Sequence, residues 1–383
     1  MKNTITFLLL IALTAPSCGL VKDLFGKKTP HEQYASKLED KGLEDTPEGR
    51  QWLAASQKAL ENPYLVQLPY RQQGYFHADK SRALGLQFKA QQGERLTFYI
   101  SKKTTTPYVI YADLYQQEAG RTTHLLSAPK DSTRFSFDVA TTGSYLLRLQ
   151  PELFHTGEYN LSVTVGPSLL FPVAGTKARA GSFWGASRDG GQRRHEGIDI
   201  FAPKLTPAVA AADGYVTGLR EGGLGGKVVW IRPDGADFYL YYAHLDKQLV
   251  QEGQTVKKGQ TIGLVGNTGN ARHTPSHLHF GVYTASGPVD PLPFVNPTVK
   301  TAPALAAKNL TGALKLLKPQ KDGTGALVKS QTVLVPLGAT AKGYLAELPD
   351  GNLIQVPFTA AQVIKQPVLP ATPVATLHNK STR

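Results

Sequence analysis

Along most of this chain apolar and polar positions alternate with a period of two, which predicts a protein built mainly from β-strands. From about Gly74 to Val165 the runs ALGLQF, RLTFYI, YVIYADLYQ, RFSFDV, SYLLRL and YNLSVTV are separated by turns containing Gly, Ser, Thr and Asp. They predict an all-β sandwich of the jelly-roll kind. A shorter β-rich stretch from about Thr311 to Ile364 has the short strands and Pro-Asp-Gly turn of a small barrel. Helical signals concentrate near the start. Thr46 as N-cap, Pro47 at the first helical position and Glu48 in the first turn open a helix through WLAASQKAL, and Asn62-Pro63 closes it. Trp52, Leu53 and Leu60 form its apolar face, expected to pack on the domain that follows. The Pro/Thr-rich end, QPVLPATPVATLHNKSTR, predicts a disordered tail.

The opening MKNTITFLLLIALTAPSCGL has an early lysine, an apolar run from Ile5 to Leu13 and small residues before Cys18. This is the pattern of a secretory signal, too short for a stable membrane span, and it predicts export. At 383 residues with 41% hydrophobic content, the chain exceeds one domain of about 100–200 residues and can fill several cores. Cys18 is the only cysteine, so neither an intramolecular disulfide nor a thiolate metal ligand is available. A net charge of +13 attracts anionic surfaces. No zinc-finger spacing, basic helix or aromatic RNA-binding motif accompanies it, so nucleic acid is not expected as a partner; an exported chain meets anionic wall polymers instead.

The candidate chemistry lies in RRHEGIDIFAP, with His195 and Asp199, in YYAHLD, with His244, and in SHLHF, with His277 and His279. A catalytic zinc takes three protein ligands and leaves one position for water, and His195, Asp199 and one His of the pair would supply such a set. HLHFGVY reads as a strand, so His277 and His279 share a face about 6–7 Å apart. One can ligate while the other moves a proton. Gly197 and the flanking isoleucines predict a turn entering a strand between His195 and Asp199, and in such a strand Glu196 faces away from the metal. Tyr239, Tyr241, Tyr242 and Trp184 are candidates for the wall of a substrate groove. His31, His77, His124, His155, His273 and His378 are read as structural or loop residues.

From about Phe171 to Pro297 the chain resembles a lysostaphin-type zinc peptidase domain, of the kind that cuts peptide cross-links in bacterial cell walls. SFWGASRDGGQRRHEGIDIFAP, PAVAAADGYV, GGLGGKVVWIRPDG, FYLYYAHLD, EGQTVKKGQTIGLVGNTGN and HLHFGVY occur in the family's order, followed by PVDPLPF. The resemblance implies that His195, Asp199 and His279 bind one zinc ion and that His244 and His277 are catalytic. His277 would activate water and His244 stabilise the tetrahedral oxyanion, or the two would exchange roles. Some members have lost ligands and act as activators or scaffolds; all five residues are present here, which favours a peptidoglycan endopeptidase. The alternative is a catalytically idle zinc-binding scaffold or activator of a cell-wall amidase. The chain departs from the common pattern at His273-Thr274-Pro275-Ser276, where a glycine-containing turn is often found.

Three weaker resemblances complete the layout. GERL, TTGSYLLRL and GEYNLSV are similar to the pre-peptidase carboxy-terminal type of domain, the 311–364 region to a bacterial SH3-like wall-binding module, and Ala15-Pro16-Ser17-Cys18 to a lipoprotein box. The expected organisation is a signal peptide at 1–17, linker and helix at 18–73, β-sandwich at 74–166 and zinc peptidase domain at 167–297. A linker at 298–310, a small β module at 311–365 and a tail at 366–383 follow. The expected location is the cell envelope, through a lipid on Cys18, or otherwise secretion.

Overall fold

The computed structural model describes residues 27–77, 79–103 and 108–365. The expected signal peptide, Cys18, His378 and the tail at 366–383 lie outside these residues. Among the described residues no helix is long and apolar enough to cross a membrane.

Two helices open the fold. The expected one, α2, spans Pro47–Glu61, with Thr46 Oγ1 accepting from the Gly49 N–H and Asn62 as C-cap. It is preceded by α1, Pro30–Asp40, which the sequence reading assigned to linker. α1 starts on a capping box in which the Glu32 N–H donates to Thr29 Oγ1 and the Thr29 N–H to Glu32 Oε2. The buried face of α2 is Trp52, Ser56 and Ala59, not the expected Trp52, Leu53 and Leu60; Leu53 is 39% exposed. The sheet beneath explains the difference, because it offers polar groups to this helix. Arg148 donates to Ser56 Oγ and Trp52 Nε1 to the Pro151 carbonyl. Close approach depends on Gly85, where an added Cβ would lie 1.8 Å from the Ala59 carbonyl oxygen.

That sheet is one half of a jelly roll. Counting eight strands from Tyr70–Phe76 to Gly157–Pro167 in chain order, one sheet runs 1-8-3-6 and the other 2-7-4-5. Leu86, Phe88, Phe98, Leu114, Leu147 and Leu161 fill the space between them and are almost wholly buried. The first strand starts at Tyr70, ahead of the expected boundary at 74. Its sequence, YRQQGYF, reads as polar linker because its glutamines spend their amides internally. Tyr70 Oη donates to Gln72 Oε1, Gln72 Nε2 donates to Tyr159 Oη, and Gln73 brackets the backbone of Lys308.

The C-terminal strands continue the same sheet. Val333–Thr340 pairs antiparallel with Tyr70–Phe76, Gln73 opposite Ala339, which merges the two into one nine-stranded sheet. Arg82, buried, bonds Glu347 across this junction, His77 Nε2 donates to the Pro336 carbonyl, and Leu345 enters the jelly-roll core. Between them in sequence lies a ten-stranded, largely antiparallel sheet. Its central strands Ile198–Phe201, His277–Thr284 and Tyr239–Gln248 are adjacent. Ile198, Ile200, Leu278, Phe280, Leu240 and Tyr242 face its core at 0% exposure. The fold is therefore mainly β with antiparallel sheets. The peptidase-like sheet meets the jelly roll at its two ends, where the Ser168 N–H donates to the Gly93 carbonyl and Val165 pairs with Lys300.

His31 ties α1 to the jelly roll. Its ring stacks on Trp52 at 4.7 Å and Nε2 donates to Gln150 Oε1. Burial, followed by the charge of Arg148, lowers its pKa from 6.5 to about 4. Protonation therefore favours the unfolded chain. The stabilisation from a neutral His31 is complete above pH 6.5 and is lost as pH falls toward 4. A loss of about 3 kcal/mol is expected across that window, read as a falling urea midpoint. A His31→Leu variant should remove this part of the pH dependence; an unchanged pH profile in it would count against the assignment.

Candidate metal centre and catalytic site

Strand register brings the first three residues together. Ile198–Phe201 pairs antiparallel with His277–Thr284 so that Asp199 stands opposite His279 while Ile200 and Leu278 point into the core. His195 ends the preceding loop. Its N–H donates to the Ala186 carbonyl and its own carbonyl accepts from Gly185. The turn between His195 and Asp199 requires glycine at 197, since a Cβ there would sit 2.5 Å from the Phe280 carbonyl oxygen and 2.7 Å from His279 Nε2. Glu196 is exposed, as expected of a residue facing away from the metal group.

Three atoms able to ligate a metal converge. His195 Nε2 lies 3.0 Å from Asp199 Oδ1 and 2.9 Å from His279 Nδ1, and His279 Nδ1 lies 3.0 Å from Asp199 Oδ1. A tetrahedral zinc with bonds of about 2.0–2.1 Å spaces its ligand atoms roughly 3.3 Å apart. The donor chemistry fits a cation as well. His195 Nδ1 donates to the Phe183 carbonyl at 2.9 Å, so a neutral His195 turns a lone pair at Nε2 toward the carboxylate. Burial alone would raise the Asp199 pKa, but contacts with His195 and His279 hold it well below the usual carboxylate range, so the group is anionic. Burial lowers the His279 pKa against the pull of Asp199, which favours a neutral imidazole. Two imidazole lone pairs and an anionic oxygen thus share a space that a divalent cation would relieve.

The other carboxylate oxygen is held by Arg188, which sequence reasoning did not single out. Its Nη2 donates to Asp199 Oδ2 at 2.8 Å and to Ser182 Oγ at 2.7 Å. This contact leaves Oδ1 as the oxygen turned to the histidines. No periodicity marks such a residue; an unexplained arginine in the loop before the first ligand was the available signal.

His244 and His277 stand beside this group, ring centroids 5.0 Å apart, with His277 Nε2 3.9 Å from Asp199 Oδ1. His244 reaches the site through a break in strand alternation. Leu240 and Tyr242 face the core, and extended backbone would send residue 244 the same way, but His244 adopts φ 61° and turns toward His277. A non-glycine residue in this region costs on the order of 1–3 kcal/mol, and surrounding contacts must fix it. The His244 N–H donates to the Gly225 carbonyl and Nδ1 to the Thr268 carbonyl. Thr268 is in turn anchored by its hydroxyl, which donates to the Leu245 carbonyl and accepts from the Lys227 N–H. His277 Nδ1 donates to the Pro275 carbonyl, so the unusual His273-Thr274-Pro275-Ser276 segment orients its ring. In its neutral form each ring therefore carries the lone pair on Nε2. Burial, then the neighbouring His277 and His279, lowers the His244 pKa to about 4.

The expected aromatic wall is partly corrected. Tyr242 is core, fully buried with its hydroxyl accepting from the Ala211 N–H, because its position shares the parity of Leu240. Tyr241 borders the site, 5.8 Å from the His279 ring and packed with Trp230 and Tyr283. Tyr239 is 37% exposed beside Arg232. Trp184 is half-buried in the loop leading to His195. The remaining described histidines lie elsewhere: His77 bonds Pro336, His124 bonds Ser127, His155 bonds its own loop at Leu153, and His273 is exposed.

Residues 193–291 match the profile of Peptidase family M23. An uncharacterized metalloprotease of Haemophilus influenzae is 42% identical over 101 residues, which are 26% of this chain and 21% of that protein. Peptidoglycan DD-endopeptidase ShyC of Vibrio cholerae is 36% identical over 123 residues, 32% of this chain and 26% of its own length. The chain thus spans about a fifth to a quarter of the length of these curated relatives. Among solved structures, the catalytic domain of the prophage-encoded M23 protein EnpA from Enterococcus faecalis is 27% identical. That alignment covers 32% of this chain and 95% of the EnpA domain, with a TM-score of 0.29.

Because Arg188 fixes the Asp199 carboxylate, an Arg188→Ala variant should bind zinc about 10–100-fold more weakly than the parent. Competition with a chromogenic chelator measures this. Equal affinities would show that the guanidinium does not position the ligand.

Proposed function

We propose that this chain, which carries a Peptidase family M23 domain, is a zinc-dependent endopeptidase that hydrolyses peptide cross-links or stem peptides of peptidoglycan. The observation that carries the reading is the convergence of His195 Nε2, Asp199 Oδ1 and His279 Nδ1 beside two further imidazoles, His244 and His277, each held through Nδ1 by a backbone carbonyl. When bound, zinc supplies Lewis acidity and lowers the pKa of water toward neutrality. His195, Asp199 and His279 are its proposed ligands.

The chain's own groups handle the protons. His277 Nε2 is assigned as the acceptor of the proton from the attacking water, since the Pro275 carbonyl holds the Nδ1 proton and orients the ring. His244, held by Thr268, faces the same space and is assigned to the developing oxyanion or the departing amine. Tyr241, with Trp230 and Tyr283, forms an aromatic wall along which a peptide can lie. The similarity to ShyC, named a peptidoglycan DD-endopeptidase, supports a direct cross-link between D-amino acids as the scissile bond.

Mass spectrometry of cross-linked peptidoglycan digested by the zinc-loaded protein tests the reading. New stem-peptide monomers are expected, abolished by a chelator and in His279→Ala. His244→Ala and His277→Ala should keep their metal and lose about 10²–10⁴ in turnover. An unchanged digest with metal retained would overturn the enzyme and favour a scaffold or amidase activator.

The reading includes export through the first 17 residues and an envelope anchor at Cys18, supported by the apolar run and small residues before that cysteine. Incorporation of labelled palmitate in a bacterial host, lost in Cys18→Ser, is the expected outcome; a soluble unlabelled product would refute the anchor.

A further inference from the structure

The helices α1 and α2 do not close everywhere on the jelly roll. Between them and the outer face of the sheet that contains Leu84–Ala90 and Gly143–Pro151 lies a cavity of about 900 Å³. All its lining residues fall between Thr29 and Arg148, so the peptidase domain contributes none. Inward-facing Phe88, Leu114 and Leu147 belong to the sandwich core; the cavity is built from the alternate positions of the same strands.

Those positions carry hydrogen-bonding groups already held in place. Gln87 Nε2 donates to Gln117 Oε1 at 2.6 Å and to Ser144 Oγ at 3.0 Å. The Gln87 side-chain Oε1 and the Gln117 Nε2 protons keep no hydrogen-bond partner among the described residues. Behind them Arg148, 6% exposed, is pinned by Asp113 Oδ2 and Ser56 Oγ, each at 2.7 Å. Its Nε has no protein partner among the described residues. On the helix side Glu32, Gln57 and Glu61 stand beside Ala35 and Leu60, so the lining mixes polar groups with apolar surface.

This chemistry selects among ligands. A wholly apolar guest would leave the fixed amides of Gln87 and Gln117 and the Glu32 and Glu61 carboxylates without partners. A polyanion would need a surplus of positive charge, whereas Glu32, Glu61 and Glu118 here oppose Arg121 and Arg148. Fixed amides and a hydroxyl beside the apolar surface of Leu60 and Ala35 suit a neutral guest that combines hydroxyl and acetamido groups with apolar ring faces. A volume of about 900 Å³ has room for two or more sugar rings. We propose that the cavity is a binding site for an N-acetylated saccharide chain. Resting on the peptidoglycan reading above, it holds the glycan strand while the peptidase domain, joined through residues 166–169 and 294–300, works on the attached peptides. Tethering raises the effective concentration of peptide at the site without new contacts there.

Calorimetric titration of the full chain with the N-acetylglucosamine tetramer tests the site. Saturable binding is expected, weakened about tenfold in Gln117→Ala and lost in Thr122→Trp, which fills the exposed rim, with thermal midpoints unchanged. In both variants release of peptides from intact sacculi should fall, while cleavage of a small soluble cross-linked peptide dimer matches the parent. Absence of tetramer binding, or equal binding by parent and Thr122→Trp, overturns the proposal. Tetramer binding by a parent chain that cuts neither substrate would refute the peptidase reading and leave the saccharide site standing.

Discussion

The pairing of Ile198–Phe201 with His277–Thr284 is the constraint on which the site depends. It sets Asp199 beside His279 and sends Ile198, Ile200, Leu278 and Phe280 to the other face. A slip of one residue would exchange these sets, burying a carboxylate and imidazoles in hydrocarbon and exposing four large apolar side chains. The core thereby pays for the convergence of three electron-rich atoms that repel one another. Arg188 and the backbone carbonyls of Phe183, Thr268 and Pro275 then select which atom of each group faces inward.

Much of this was legible because strands announce themselves locally. Alternation marked the sandwich, and the His-Leu-His spacing placed two imidazoles on one face. Other features resisted reading for identifiable reasons. Tyr242 and His244 belong to one strand, and only a left-handed backbone at His244 separates their fates; nothing in YYAHLD advertises it. Gln72 and Gln73 are buried polar residues whose partners lie far away in sequence, so their strand looked like linker. α1 was missed although Thr29, Pro30 and Glu32 carry the start signal used to find α2. Arg188 acts through a hydrogen bond that has no sequence periodicity.

Polar contacts also join the parts of the molecule. Arg82 with Glu347, Arg148 with Asp113 and Ser56, and His31 with Gln150 are all buried at junctions between elements distant in sequence. Burying a charge pair adds little net stability over an apolar contact, but leaving one partner alone is expensive, so such junctions penalise misdocking strongly. The helices, jelly roll and C-terminal strands are thereby held in one arrangement, and the peptidase-like sheet touches it mainly where the chain enters and leaves.

The union of Val333–Thr340 with Tyr70–Phe76 closes the chain on itself around the segment that matches Peptidase family M23. As long as that sheet holds, the intervening segment can unfold only as a loop with its ends fastened. By the loop-closure relation for the roughly 165 residues between Pro167 and Val333, this restriction removes about 5 kcal/mol of entropy from its disordered state. Two hydrogen-bonded strands far from the metal group thus act as a noncovalent cross-link, in a chain whose single cysteine leaves it no disulfide to serve that purpose.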